Sequence, residues 1–203
     1  MGSSERRARE RQRVRTAILH AARQIFTSEG VEAVTMRRIA KRIEYSPTAL
    51  YFHFRDKEAL LAELCSQDFR ALAAQFARLL RLEDPVARLR RAGNAYVDFA
   101  VAHPNHYRLM FMRPGERAWD ITQGDPEQDA YSFFVSACAQ IIDAGRARRG
   151  LADPHLLAQT FWAGVHGVAS LHVALSSDQW VHWRPIAQRR RLIVDAVVEA
   201  ITR

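Results

Sequence analysis

The chain has 203 residues, of which 48% are hydrophobic and 26% are charged, and its formal net charge is +8. This length supports a sizeable buried core, and the composition is that of an ordinary globular protein. No apolar run approaches the ~18 residues of a membrane span, and the N-terminus lacks the apolar segment of a secretory signal. We therefore expect a cytoplasmic protein with no membrane partner.

The positive charge is concentrated near the N-terminus. Residues 1–60 contain 13 Lys and Arg against 7 Asp and Glu, whereas the other 143 residues contain 17 against 15. This asymmetry favours a polyanionic partner for the N-terminal part, with nucleic acid ahead of a membrane surface. An Arg-rich helix that only meets solvent is the alternative that charge alone leaves open.

Three helices are predicted in the N-terminal part. Apolar residues spaced three and four apart predict a first helix over residues 13–29, with Gly30 as its C-terminal cap. The Arg-rich residues 1–12 are predicted to form a basic flexible tail, which could lie along the phosphate backbone of a nucleic acid, reach into an adjacent minor groove, or serve only to solubilise the protein. A threonine cap opens a short second helix over residues 35–42, and a serine–proline pair at residues 46–47 opens the third.

The rest of the chain continues as amphipathic helices. A long fourth helix begins near Asp56, and the last begins near Pro185, with a long loop over residues 113–124. No segment alternates with a period of two, so we predict an all-α fold of about nine helices. Three Asp-Pro pairs are each interpreted as an N-cap followed by proline at the first helical position. They are Asp84-Pro85, Asp125-Pro126 and Asp153-Pro154.

The second and third helices form a helix-turn-helix arrangement. They are joined by only four residues, 43–46, and are braced by the longer first helix. Leu50 and Phe54, four residues apart, are predicted to form the packed face of the third helix. The other rings of this segment, including Tyr51 and Phe52, cannot all be buried in so small a unit. The third helix is therefore interpreted as a recognition helix with one packed and one open face.

Residues 35–61, TMRRIAKRIEYSPTALYFHFRDKEALL, resemble the DNA-binding domain of the TetR (tetracycline-repressor) family of bacterial regulators. The resemblance covers about residues 13–61. It implies a sequence-specific transcriptional regulator, a repressor, that binds double-stranded DNA at a palindromic operator as a homodimer. The DNA-contacting residues that it implies are Thr35, Arg37, Arg38, Ser46, Pro47, Thr48, Ala49, Tyr51, His53 and Lys57.

The resemblance also implies a domain organisation. A helix-turn-helix DNA-binding domain (13–57) follows the tail, and the long fourth helix joins it to a helical effector-binding and dimerisation domain (58–203). One position departs from the family pattern, which commonly has Gly in the turn where this chain has Glu44. A positive φ would cost a non-Gly residue about 1 kcal/mol. We therefore expect a turn that is shaped differently.

A face of small residues marks the C-terminal part. Trp162, His166 and Gly167 also resemble the WHG-type C-terminal domain of one TetR subgroup. Small side chains let another helix approach closely, so this helix and the last one suit a four-helix bundle with a second copy. Packing within one chain is the alternative. The predicted dimer-interface residues are Ala163, Gly167, Ser170, Ala174, Ile193 and Val197.

Aromatic residues are dense in the middle of the chain. In the family that the sequence resembles, the C-terminal domain holds a small apolar ligand that loosens DNA binding. Ordinary core packing is the competing interpretation, and a dimeric DNA-binding protein without an effector is the alternative function. The ligand-binding residues that we predict are Phe99, Tyr107, Phe111, Trp119, Phe134, Trp162 and His166.

No motif of an enzyme or metal site is present in the sequence. There is no nucleophile elbow, no Gly-rich phosphate loop and no pair of carboxylates in an apolar setting. His103 and His106 are three apart, but Pro104 lies between them and no third ligand is evident. We therefore expect no catalytic residues, no metal and no cofactor.

Overall fold

The computed structural model describes residues 2–113 and 124–203, and within these ranges the regular elements are nine α-helices and one π-helical turn, Arg108–Met112. The predicted all-α fold of about nine helices is confirmed. The helices are α1 (Ser3–Glu29), α2 (Met36–Arg42), α3 (Pro47–Tyr51), α4 (Lys57–Ala77), α5 (Pro85–Ala102), α6 (Pro104–Tyr107), α7 (Ala130–Asp143), α8 (Pro154–Leu175) and α9 (Ile186–Ile201).

The chain divides into two compact units. The first contains α1, α2, α3, the start of α4 and residues 108–113, and the second contains the rest of α4 and the later helices. The division falls inside α4, between Gln67 and Asp68, while the domain boundary at residues 57–58 stays a prediction. The first turns of α4 belong to the first unit because they are tied to α1, where Arg23 donates to Gln67 at 2.9 Å.

The core of the first unit follows the predicted apolar stripes. One face of α1 is buried, and so are the inward faces of α2, α3 and the start of α4. Each large side chain removed from water contributes about 1.5–3 kcal/mol. The fully buried members of this core include Ile18, Ile25, Phe26, Ile39, Leu50, Leu60 and Leu64.

The first helix is longer than predicted. It begins at Ser3, so the residues predicted as a flexible tail are helical. Arg, Glu and Ala, which dominate this segment, are among the best helix formers. Local pairs add to this tendency, since Glu5 accepts from the backbone N–H of Gly2 at 3.3 Å and Glu10 pairs with Arg13 at 2.7 Å.

Side-chain caps start most of the predicted helices. Thr35 and Ser46 each accept a backbone N–H three residues ahead, at 3.2 Å. Asp84 and Asp153 open α5 and α8 by accepting the N–H two residues ahead, at 3.0 and 2.8 Å. These caps confirm the predicted starts, because each satisfies an N–H that would otherwise lack a partner in the first turn.

The start of α7 corrects the prediction. Asp125-Pro126 opens only a turn, in which Asp125 accepts from the N–H of Glu127 at 2.9 Å. Asp129 caps α7 instead, since its carboxylate accepts from the N–H groups of Tyr131 and Ser132 at 3.1 and 3.0 Å. An aspartate that satisfies two first-turn N–H groups is the better N-cap.

The second unit is a bundle in which α5, α7, α8 and α9 pack on one another. Its core contains the ring of Phe76 from α4, 5.3 Å from the centroids of both Phe133 and Phe134. Gly93 permits the close crossing of α5, because a Cβ there would lie 2.6 Å from the Phe161 ring. None of the helices that the structure describes has the length and apolarity needed to span a membrane.

The turn between α2 and α3 has the conformation that glycine usually supplies. Glu44 has φ 60°, and the N–H of Tyr45 donates to the carbonyl oxygen of Ala40 at 3.0 Å. That six-residue hydrogen bond is the Schellman C-cap, which places a left-handed residue after the helix. Glu44 therefore adopts the left-handed conformation that favours glycine, at a cost of about 1 kcal/mol, and not the differently shaped turn that we expected.

Replacing Glu44 tests this strain. We expect Glu44→Gly to raise the free energy of unfolding by about 1 kcal/mol, since glycine adopts positive φ without the steric cost of a Cβ. Glu44→Ala is the matched control, because it removes the same charge but keeps the Cβ. Urea unfolding followed by circular dichroism measures both. Equal stability of the two variants would contradict the strained turn.

Candidate functional site

Helix α3 has one buried face and one exposed face. Leu50 is fully buried and Phe54, just after the helix, is 4% exposed, whereas Tyr51 is 53% and Phe52 76% exposed. Thr48, in the first turn, is also exposed. The predicted division into a packed and an open face is therefore confirmed, and the open face carries a small hydroxyl side chain beside two rings.

Arg15 ties the end of this helix to its scaffold. Its guanidinium donates to the backbone carbonyl of His53 at 2.9 Å and pairs with Glu63 at 3.1 Å. It also lies 4.2 Å from the ring centroid of Phe54, in a cation–π contact. One residue of α1 thus joins α1, the residues after α3, and α4.

All ten residues predicted to contact DNA lie in the first compact unit. Thr35 and Arg37 are exposed at the start of α2, and Lys57 is half-buried at the start of α4. The exposed first turn of α3 lies between them in sequence, after the strained turn. Hydroxyl groups, cations and helix N-termini are the groups that bind phosphate oxygens.

Arg38 is already engaged within the unit. It forms two hydrogen bonds with the carboxylate of Glu29, at 3.0 and 2.7 Å, and one with the carbonyl of Ala33 at 3.2 Å. This pairing raises the pKa of Arg38 and lowers that of Glu29. Arg38 thus holds α2 to the end of α1, which makes it a weaker candidate for phosphate contact than Arg37.

His53 is half-buried, and its Nδ1 is a buried atom without a hydrogen-bond partner among the described residues. Burial lowers the pKa of His53, and the positive charges of Arg11 and Arg15 lower it further. The imidazole is therefore neutral at pH 7. It offers one N–H to a phosphate and no positive charge, which limits the role predicted for it.

A second polar group lies inside the other compact unit. The hydroxyls of Tyr96 and Tyr107 lie 2.9 and 2.7 Å from Nδ1 of His166, and the indole N–H of Trp162 donates to the Tyr96 hydroxyl at 3.1 Å. We call these four residues the tyrosine–histidine cluster. They come from α5, α6 and α8, so the fold brings together side chains far apart in sequence.

The cluster is uncharged. Burial raises the pKa of Tyr96 and raises that of Tyr107 to about 12, while it lowers the pKa of His166. Both tyrosines therefore keep their protons, and the Nδ1 of a neutral imidazole accepts one of them. Tyr107 has a second acceptor in the backbone carbonyl of His166, at 3.3 Å.

Three of the predicted ligand-binding residues, Tyr107, Trp162 and His166, belong to this cluster. The other predicted residues are placed elsewhere. Phe134 contacts core rings, including Phe161 at 5.4 Å, and Phe99 contacts His103 at 5.3 Å. Phe111 lies in the π-helical turn, and Trp119 lies outside the described residues.

Tyr96 is the member of the cluster that the prediction omitted. The dense aromatic region of the sequence includes it, but nothing in the local pattern separates it from ordinary core rings. The link between Tyr96 and Trp162 spans 66 residues and becomes visible only in the folded unit.

The predicted dimer surface is only partly exposed. Ala163 and Ala174 are exposed, Ser170 is half-buried, and a Cβ at Gly167 would meet no atom within 4 Å. Ile193 and Val197, by contrast, pack against Gly164 of the same chain, where a Cβ would lie 3.3 and 3.0 Å from them.

The exposed apolar residues of the same two helices lie at other positions. Leu171 of α8 and Leu192 of α9 are 47% and 72% exposed. The predicted dimer interface omitted Leu171 and Leu192, because the sequence does not show which side of α9 faces solvent once α9 packs on α8. Among the residues that the structure describes, no group of three or more His, Cys, Asp or Glu side chains could hold a metal ion.

Both parts of the chain match models of one protein family. Residues 18–64 match the model described as bacterial regulatory proteins of the tetR family. Residues 89–190 match the model described as the tetracyclin repressor-like C-terminal domain. These matches include residues of both compact units, while the predicted WHG-type subgroup stays a prediction.

One curated relative is the HTH-type transcriptional regulator UidR of Escherichia coli K12. It is 43% identical to this chain over 67 residues, which are 33% of this chain and 34% of UidR. The match thus spans about a third of the length of that relative.

Solved structures extend the likeness to the whole fold. A protein with unknown function from Rhodococcus sp. RHA1 has a TM-score of 0.76 at 24% identity, over 93% of this chain and 95% of that one. The complex of triclosan with SmeT, the repressor of the Stenotrophomonas maltophilia multidrug efflux pump SmeDEF, has a TM-score of 0.65 at 23% identity, over 93% and 91% of the two chains. At these identities the likeness establishes a shared fold.

The two family matches agree with the helix-turn-helix geometry of the first unit and with the helical bundle of the second. Since the C-terminal match alone spans half of the sequence, the chain belongs to the TetR family of bacterial regulatory proteins.

Proposed function

We propose that this protein is a sequence-specific DNA-binding transcriptional regulator that represses transcription by placing α3 in the major groove of an operator. The observation that carries the proposal is the two-faced α3, with Leu50 buried and Tyr51 and Phe52 exposed. An α-helix is the element that the major groove admits. Membership of a family of regulators supports this function over an enzymatic one.

The residues of this predicted DNA-facing surface suit different parts of the duplex. Thr48 and Ala49 are small enough for close approach to base edges, and Ser46 and Pro47 fix the start of the helix that carries them. Base-edge contacts specify sequence, whereas phosphate contacts fix position. We assign phosphate contact to the Tyr51 hydroxyl. The other residues assigned to phosphate contact are Thr35, Arg37 and Lys57, with smaller contributions from Arg38 and His53.

We propose that the regulator binds as a homodimer. In that arrangement α8 and α9 meet the same helices of a second copy, which would cover Leu171 and Leu192 together with Ala163 and Gly167. A two-fold axis between subunits matches a palindromic operator, with half-sites separated by multiples of about 34–36 Å. A cytoplasmic location follows from this role.

We also propose that residues 58–203 bind a small apolar ligand that carries one hydrogen-bonding group. The tyrosine–histidine cluster supports this, because it sets hydroxyl and imidazole groups among aromatic rings. If such a ligand weakens DNA binding, DNA must weaken ligand binding by the same factor. The competing possibility is a dimeric DNA-binding protein with no effector.

Removal of the Tyr51 hydroxyl tests the DNA-binding role. A hydrogen bond to a charged group contributes about 1.5–3 kcal/mol, so Tyr51→Phe should weaken binding by roughly tenfold or more. Fluorescence anisotropy with a duplex from the region upstream of the protein's own gene measures the affinity. Tyr131→Phe makes the same change in the second unit and should leave the affinity unchanged. Equal affinities of Tyr51→Phe and wild type would remove Tyr51 from the interface.

Gly167 tests the dimer. A Cβ there would meet no atom of its own chain within 4 Å, and a leucine side chain would block close approach of a second helix. We expect wild type to sediment at twice the chain mass of 23.2 kDa and Gly167→Leu to sediment as a monomer of unchanged helicity. As a control, Ala71→Leu enlarges an exposed residue of α4, and this variant should stay dimeric. A dimeric Gly167→Leu would rule out this face.

Triclosan, the compound bound to SmeT, is a suitable probe of the effector proposal. We expect it to raise the melting temperature of the wild type and to weaken DNA binding. His166→Phe should abolish the shift in melting temperature, whereas His172→Phe, the same change at another half-buried position of α8, should preserve it. An unchanged melting temperature with triclosan and with other apolar phenols would favour the protein without an effector.

A further inference from the structure

We propose that the first turns of α1, residues 4–13, form a second DNA-binding element: a cationic helical arm that binds backbone phosphates beside the groove occupied by α3, through Arg7 and Arg11. This inference rests on the proposed DNA-binding function. It decides between the alternatives that the sequence leaves open for this segment, and it names two residues outside the predicted interface.

The arm continues the buried face of α1. Val14, Ile18 and Ile25 are buried on that face. Moving toward the N-terminus in steps of three and four residues, the next positions on the same face are Arg11 and Arg7, both exposed. The stripe thus changes from apolar to cationic where α1 extends past the core.

A surface depression of about 400 Å³ locates this face relative to α3. It is lined by Glu10, Arg11 and Val14 of α1 and by Phe52 and His53, which follow α3. The hydrogen bond from Arg15 to the His53 carbonyl fixes the same two segments together. A duplex that contacts the exposed ring of Phe52 would therefore pass close to Arg11.

The positive charge of this face affects the residues that follow α3. The positive charge of Arg11 is one of the causes that lower the pKa of His53. Residues 4–13 contain five Arg and two Glu, and the carboxylates of both Glu5 and Glu10 are occupied by the local hydrogen bonds described above. The arm therefore presents a net positive surface, which is the electrostatic complement of a phosphate backbone.

The helical conformation of the arm determines which part of the DNA it can contact. A helix with its side chains is about 10–12 Å across, whereas the minor groove is about 6 Å wide. The arm therefore lies against phosphates and does not thread into the minor groove as an extended chain could. Phosphate contacts carry no direct sequence information, so the arm adds affinity to all duplexes and leaves operator choice to α3.

The test compares two double variants of the full-length protein. Arg7→Gln/Arg11→Gln removes two charges from the face beside α3, and Arg6→Gln/Arg9→Gln removes two charges from other faces of the same segment. Circular dichroism of both variants verifies that helicity is kept. Affinity for the upstream duplex and for a random duplex is then measured between low and moderate salt.

The expected result concerns the salt dependence. Each lost phosphate contact makes the slope of log K against log salt shallower by about 0.9, so two contacts in each of two protomers predict a change of roughly 3–4 for Arg7→Gln/Arg11→Gln. We expect a change below about 1 for Arg6→Gln/Arg9→Gln, and equal losses on the upstream and random duplexes.

Two outcomes would contradict the proposal that the arm binds backbone phosphates. If both double variants keep the wild-type slope, or if both lose the same amount, the face beside α3 has no special role. Sensitivity of the affinity to exchanging A·T for G·C pairs next to the half-sites would replace phosphate contact by minor-groove readout and would also overturn it. A wild-type protein that does not prefer its upstream duplex instead contradicts the proposed function, so the two failures are distinguishable.

Discussion

The burial of Leu50 and Phe54 is the interaction on which the DNA-binding unit depends. Helix α3 has only five residues, Pro47–Tyr51, and so short a helix is unstable without tertiary contacts. The two apolar side chains supply those contacts, and Arg15 fastens the end of the helix by its bond to the His53 carbonyl. Once one face is committed to the core, Thr48 and Tyr51 necessarily face outward.

The fold could be predicted well where local rules decide it. Apolar spacing placed the buried face of α1, and side-chain caps placed the starts of α2, α3, α5 and α8. Local rules failed where two of them compete. Asp125 precedes a proline, yet Asp129 caps α7 instead, and the Arg-rich residues at the start of α1 are helical although their charge suggested a flexible tail.

The candidate sites were predictable in outline, because the motif from Thr35 to Lys57 is contiguous in sequence. The details depend on partners that are distant along the chain. The pairing of Arg38 with Glu29 and the bond between Trp162 and Tyr96 exist only because the fold brings these residues together. The same reason explains why Ile193 packs within the chain while Leu192, its neighbour, faces solvent.

Sequence-specific DNA binding by this protein is tested most directly by the ratio of two wild-type affinities. One duplex carries the region upstream of the protein's own gene, and the other carries the same bases in scrambled order, both at physiological salt. Recognition by α3 predicts a preference of about 10³-fold or more for the upstream duplex, the range of specific DNA-binding proteins. Equal affinities for the two duplexes would contradict sequence-specific regulation and leave only binding by charge.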